Sequence, residues 1–157
     1  MSQPLFLKAQ IREVSFGDQV KIVEPVNLYG CTIGTGCFIG PFVEIQSGVT
    51  IGQHTKIQSH SFICSKVVIG DHGFVGHGVM FINDLFENGA PAGGDASKWR
   101  STTIGNHVSI GSNSTILPVS ICDQVVIGAG AVVTKDIVKP GIYAGNPARF
   151  MRSLPEF

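Results

Sequence analysis

Charge is scarce in this 157-residue chain: Asp, Glu, Lys and Arg together make up 14% of it. So thin a coat implies that another subunit covers part of the surface. The 11 Lys and Arg match 11 Asp and Glu, so the formal net charge is zero. There is no basic footprint of the kind that nucleic acid or an anionic membrane surface requires. Long apolar runs are missing too. No stretch reaches the length that a membrane-spanning helix needs. The opening MSQPLFLKAQIREV has no charged start followed by a long apolar core, so no secretory signal is expected. The cysteines Cys31, Cys37, Cys64 and Cys122 form no CxxC pair. That argues against a zinc site or a disulfide framework, and it fits a reducing cytoplasm.

What the chain does have is a beat. Its length argues for one domain, and 43% hydrophobic residues are enough to fill a core. From Thr32 it reads in sixes: TIGTGC, FIGPFV, EIQSGV, TIGQHT, KIQSHS, FICSKV, VIGDHG, FVGHGV, MFINDL. The second position is Ile33, Ile39, Ile45, Ile51, Ile57, Ile63, Ile69, Val75 and Phe81, all large and apolar. Two residues before each stands a small or medium one, from Cys31 and Cys37 to Gly73 and Val79. A helix would show a period near 3.6 and a flat strand a period of 2. A strict six matches a coil of short strands with a turn after each. Each strand sends two side chains inward, one large and one small, and Gly eases the turns. Stacked coils of this kind bury a continuous core, the parallel β-helix reading. Cys31 and Cys37 then fall inside as small core residues.

The beat returns at Ile104, Ile110, Ile116, Ile121, Ile127 and Val133, with a step of five inside ILPVSI. Upstream it holds at Phe16, Ile22 and Leu28, with another five before Ile33. Rungs are expected to start near residues 16, 33, 51, 69, 104 and 121. Between Phe81 and Ile104 it stops. Residues 82–101 form one extruded loop, flexible through GAPAGGDAS and stiffer at Lys98-Trp99-Arg100. Loops so long in a compact domain are usually functional or disordered. The tail, residues 137–157, leaves the pattern, and a short helix is expected after Pro147.

These residues resemble the hexapeptide-repeat acyltransferases. IGAGAVVTKDIVKPGIYAGNPAR, residues 127–149, is the most specific block. VGHGVMFINDLF, residues 75–86, is similar to a narrower group that acetylates the amino group of nucleotide-linked amino sugars, especially 3-amino sugars made for surface polysaccharides. The resemblance implies an all-β fold: a left-handed parallel β-helix of about six rungs, one domain over residues 1–157. It also implies a cytoplasmic homotrimer with no permanent cofactor, in which acetyl-CoA is a co-substrate lying between adjacent helices.

Acyl transfer to an amine needs a neutral amine, a stabilised thioester oxygen and two substrates held together. The last alone contributes ~7–11 kcal/mol. Asn83 and Asp84 stand where the chain leaves the coil. Asp84 suits an ammonium or a sugar hydroxyl, and Asn83 both donates and accepts. Asn-Asp is also ordinary turn chemistry. The resemblance makes the pair catalytic and sugar-binding, with His60, Trp99 and Arg100 on the sugar side. His is the usual general base near neutral pH. His77 is the favoured candidate, although members of the narrower group often lack a clear base. For acetyl-CoA the resemblance implies Ser112 and Asn113, then Gly128, Ala129 and Gly130. Lys135 and Arg149 suit the phosphates.

His54 and His72 fall 18 residues apart, which stacks them on one corner; His60 and His77 belong to the next corner, and His107 follows the loop. A rival reading uses His54, His72 and His77 as three imidazole ligands of a zinc hydratase like the γ-class carbonic anhydrases. The spacing puts His72 and His77 on adjacent corners, with His54 directly beneath His72, which disfavours that reading.

Overall fold

The six-residue beat becomes geometry two residues at a time. In the computed structural model, which describes residues 4, 5 and 7–155, the first residue of each two-residue strand faces out and the second faces in, from Ser15–Phe16 onward. Thr32 is exposed and Ile33 buried; Lys56 is exposed and Ile57 buried. After each strand the chain turns, and three strands complete a triangular rung. Successive rungs pair in parallel, as in Ile33↔Ile51 and Ile51↔Ile69.

The result is three parallel sheets around one core. Sheet I has seven strands, from Ile11–Arg12 to Val132–Val133; sheet II has six, from Ser15–Phe16 to Ser120–Ile121. Sheet III has eight, starting at Lys21–Ile22. The coil therefore counts seven turns rather than six. It begins one strand earlier than expected, with Ile11 pairing Leu28. Ile137 bridges Ile121 at the far end.

Ile33, Ile39, Ile45, Ile57 and Ile63 have no exposed surface, and Phe81 is equally covered. Burying each such side chain contributes about 1.5–3 kcal/mol. The small-residue series lines the corners, and its polar members are satisfied. Ser61 donates to the Gly76 carbonyl at 2.8 Å and Thr55 to the Gly70 carbonyl at 2.9 Å. Cys31 and Cys37 are core residues, as expected, and Cys64 joins them. Burial pushes the Cys31 thiol up to about 11 and the Cys64 thiol to about 12. Neither forms a thiolate at neutral pH, so neither is a nucleophile.

Steps from sheet II to III and from III to I are always six residues, as in Ile51, Ile57 and Ile63. All variation in length falls at the corner between sheets I and II. The three five-residue steps, Ile11 to Phe16, Leu28 to Ile33 and Ile116 to Ile121, are there, and so is the loop. The loop leaves no mark on the register: Val67, Val68 and Ile69 pair with Thr102, Thr103 and Ile104 across it.

The tail departs from expectation. No helix follows Pro147. Gly141–Ala144 instead extends sheet III in parallel with Val125–Ile127, and Arg149–Arg152 folds back antiparallel on it. The reversal passes through Gly145, at φ +95°. An open strand edge needs a cover, and Ile142 and Tyr143 are good strand formers. A one-turn helix after Pro147 would have left the outer edge of Gly141–Ala144 bare. Residues 156–157 of the expected tail lie outside the described residues.

Candidate functional site

The loop closes on itself at its neck. The Arg100 N–H donates to the Asn83 carbonyl at 2.8 Å, and Asn83 Nδ2 donates to the Ser65 carbonyl at 3.2 Å. Asp84 organises the first half. Its Oδ1 accepts from the Phe86 N–H at 2.9 Å and its Oδ2 from the Ala92 N–H at 2.7 Å. These N–H groups, Ala92's first, hold its carboxyl below the usual aspartate range, with a smaller pull from the Lys98 ammonium. Asp84 is thus a fixed, ionised group half-buried at the loop's base, beside a small pocket of about 110 Å³ shared with Glu87 and Lys98. A permanently charged carboxylate is a good counter-ion for an ammonium and a weak base. Arg100 pairs with Glu87 at 2.7 Å. Trp99 is half-buried and ends a 3₁₀ turn, Ala96–Lys98, which Asp95 caps.

Lys66, which sequence reasoning passed over, locks the neck. Its ammonium donates to the Ala96 carbonyl at 2.6 Å and to the Trp99 carbonyl at 3.0 Å. Its only signal was its place at the loop's corner, one rung earlier. Lys66→Met keeps the stem and removes both bonds. Hydrogen bonds from a charged group are worth about 1.5–3 kcal/mol each; water screens this partly exposed ammonium, so the two together count for about one, and loop opening should rise roughly ten- to a hundredfold. Hydrogen exchange should show lost protection over residues 84–100 and none in the coil. Unchanged loop protection would mean that the neck is held without Lys66.

His60, His77, Ser112, Asn113, Ala129 and Gly130 gather at a different corner, between sheets III and I. Successive rungs join them: the Asn113 N–H donates to the His77 carbonyl and the Gly130 N–H to the Ser112 carbonyl, both at 2.8 Å. His77 Nδ1 lies 2.9 Å from Ser59 Oγ, and the His77 N–H donates to Ser112 Oγ at 3.2 Å. His60 stacks on Phe42, ring centres 4.8 Å apart. Gly128 ends the neighbouring strand, its N–H on the Tyr143 carbonyl. Strand Met80–Phe81 separates His77 from Asn83, so within one chain they stand at opposite edges of sheet I.

Lys135 and Arg149 are also apart. Lys135 follows the last strand of sheet I at the loop's corner, whereas Arg149 opens the final strand of sheet III. Both are exposed. His54, His72 and His107 form one stack at the third corner, with centres 5.1 and 5.0 Å apart. His107 continues the expected pair across the loop. His77 lies at the other end of strand Phe74–Val75, on the adjacent corner as expected, so the three nitrogens of the hydratase reading do not converge in one chain.

Comparison with known proteins matches this geometry. The family model "Bacterial transferase hexapeptide (six repeats)" covers residues 30–65, and "Hexapeptide repeat of succinyl-transferase" covers residues 101–135. The bifunctional protein GlmU of Acidithiobacillus ferrooxidans is 32% identical over 95% of this chain and 34% of its own length. The chain thus spans about a third of the curated relatives it matches. A variant of AntD, an N-acyltransferase from Bacillus cereus solved with dTDP and coenzyme A, is 26% identical. The match covers 88% of this chain and 83% of AntD, with a TM-score of 0.75. A variant of perosamine N-acetyltransferase from Caulobacter crescentus, solved with CoA and GDP-perosamine, shares the fold at 16% identity, covering 92% of this chain and 58% of that one, TM-score 0.66. With its repeats, its three-sided coil and these matches, the chain belongs to the hexapeptide-repeat proteins and has the left-handed β-helical fold of their acyltransferases.

Proposed function

We propose that the chain is an acetyl-CoA-dependent N-acetyltransferase for the amino group of a dTDP- or UDP-linked amino sugar, acting as a homotrimer. The observation that carries this is the likeness to AntD along nearly the whole coil. The fixed carboxylate of Asp84 at the neck of the loop supports it. The two halves of the site lie at opposite edges of sheet I, so they join where the loop of one copy reaches the His77 corner of the next. The low charge of the surface favours such an assembly.

In this reading Asn83 and Asp84 orient the amine, with His60, Trp99 and Arg100 around the sugar. Ser112, Asn113, Gly128, Ala129 and Gly130 carry the pantetheine arm, and Lys135 and Arg149 meet the phosphates. The neutral amine attacks the thioester carbonyl. A carbon–nitrogen bond forms, the carbon–sulfur bond breaks, and the proton leaves nitrogen for His77, Asp84 or the departing sulfur. The products suit surface polysaccharide synthesis from cytoplasmic sugar nucleotides. Purified protein with acetyl-CoA should release thiol with at least one member of a panel of dTDP- and UDP-amino sugars. Turnover of free amino acids or simple glycosides, with none of that panel, would overturn the reading.

A further inference from the structure

The outer face of sheet III carries an alternating ladder. Lys21, Phe38, Lys56 and Phe74 lie in register on four successive strands. Neighbouring strands are about 4.8 Å apart, which puts the two lysines about 10 Å apart with Phe38 midway. A groove of about 530 Å³ runs over this ladder, rimmed by Gln19, His54 and Gln58. No carboxylate lines it. Among the described residues the ion pairs are Lys98–Asp95 and Arg100–Glu87, so neither groove lysine is neutralised. Gly36 keeps the rim low: a Cβ there would collide with the His54 ring. None of the residues assigned above to acetyl-CoA or to the amine lies in this groove.

A flat ring between two unpaired cations, edged by amides, suits a heteroaromatic base joined to phosphates. Bases stack on aromatic side chains, ammonium groups pair with phosphate oxygens, and Gln amides read the polar edges of a base. We infer that this groove binds the nucleoside diphosphate half of the sugar substrate. The base stacks on Phe38, with Lys21 donating to its carbonyl oxygens. The diphosphate meets Lys56, one rung closer to the turn of coil that bears the loop. The inference rests on the function proposed above. It adds a geometric demand. Sheet III is the side of the triangle opposite the corner between sheets I and II. Asn83 and Asp84 of the same copy therefore cannot overhang the groove. The groove of one copy serves the loop of another.

Two measurements on the full chain test this. In calorimetric titration with dTDP and UDP, at least one should bind wild type. Lys56→Gln and Phe38→Ala should each weaken it about tenfold or more, with the melting temperature unchanged because both side chains reach the surface. A mixing experiment tests the opposite-face demand. Refolding the Lys21→Gln/Lys56→Gln double variant together with Asp84→Ala in equal amounts should restore about a quarter of wild-type rate, since random assembly pairs an intact groove with an intact loop at one interface in four. Wild-type substrate affinity in the double variant, with nucleotide sugars still acetylated, would overturn the groove alone. No recovery on mixing would overturn its service to a second copy. No binding of either nucleotide by wild type, with acetylation of a non-nucleotide amine, would remove groove and proposed function together.

Discussion

Ile57→Asp should yield no folded protein. Ile57 has no exposed surface and stands in the inward column of sheet III between Ile39 and Val75. A carboxylate there would face only hydrocarbon. Left charged and unpaired, it costs several kcal/mol; protonated, it still lacks a hydrogen-bond partner. The lost isoleucine contacts remove about 1.5–3 kcal/mol more. Against a total of about 5–15 kcal/mol, the sum is enough to unfold the chain. The protein should be insoluble or show no cooperative melting by circular dichroism. Thr50→Asp places the same group on the outer face of sheet II and should melt close to wild type. Cooperative melting of Ile57→Asp within a few degrees of wild type would mean that the coil can open to water at that rung.

Asn83→Ala should lower kcat tenfold or more. It removes the side chain that bonds the Ser65 carbonyl and the donor–acceptor group offered to the sugar. Each ~1.4 kcal/mol of lost transition-state stabilisation is a factor of ten in rate. Asp84→Asn keeps the shape and removes the charge. If Asp84 takes the amine's proton, the rate falls steeply at pH 7 and recovers in part at higher pH, where more amine is already neutral. If it serves only as a polar contact, acceptor KM rises and the pH profile stays flat. The depressed carboxyl stabilises the loop above the ordinary aspartate range and loses that role only as pH falls below it, so neutral and alkaline assays see an ordered loop. Collapse in His77→Ala beside a near-normal Asp84→Asn would give the proton to His77. Near-normal rates and acceptor KM in both Asn83→Ala and Asp84→Asn would leave the pair as loop supports only.

The coil was legible because its period is its geometry. A solenoid forces one large side chain inward every six residues, so Ile33 to Phe81 announced their own burial. The left-handed turn positions were less visible. They fall on His54, His60, His72 and His107 at φ near +60°, so histidines that attract attention as chemistry also serve as corner residues. The tail is not legible because Pro147 reads locally as the start of a helix, while the open edge of Gly141–Ala144, which Arg149–Arg152 covers, is a fact of three-dimensional packing. At the candidate site, the departure of the loop marked Asn83 and Asp84, but not what holds them. Lys66 acts across 30 or more residues of chain, on Ala96 and Trp99. Contacts that distant have no local pattern to read.

Irregular steps confined to one corner leave the other two corners as a ruler. Along them, side chains recur at intervals of about 4.8 Å whatever the third corner does. A whole rung gained or lost would lengthen or shorten the reach of a bound chain by one such mark, leaving every other contact in place. The variable corner can meanwhile be cut and spliced without disturbing that scale, because Val67 meets Thr102 as though nothing lay between them. Molecular length and chemical identity are then measured by separate parts of the same short chain, and each can change without the other.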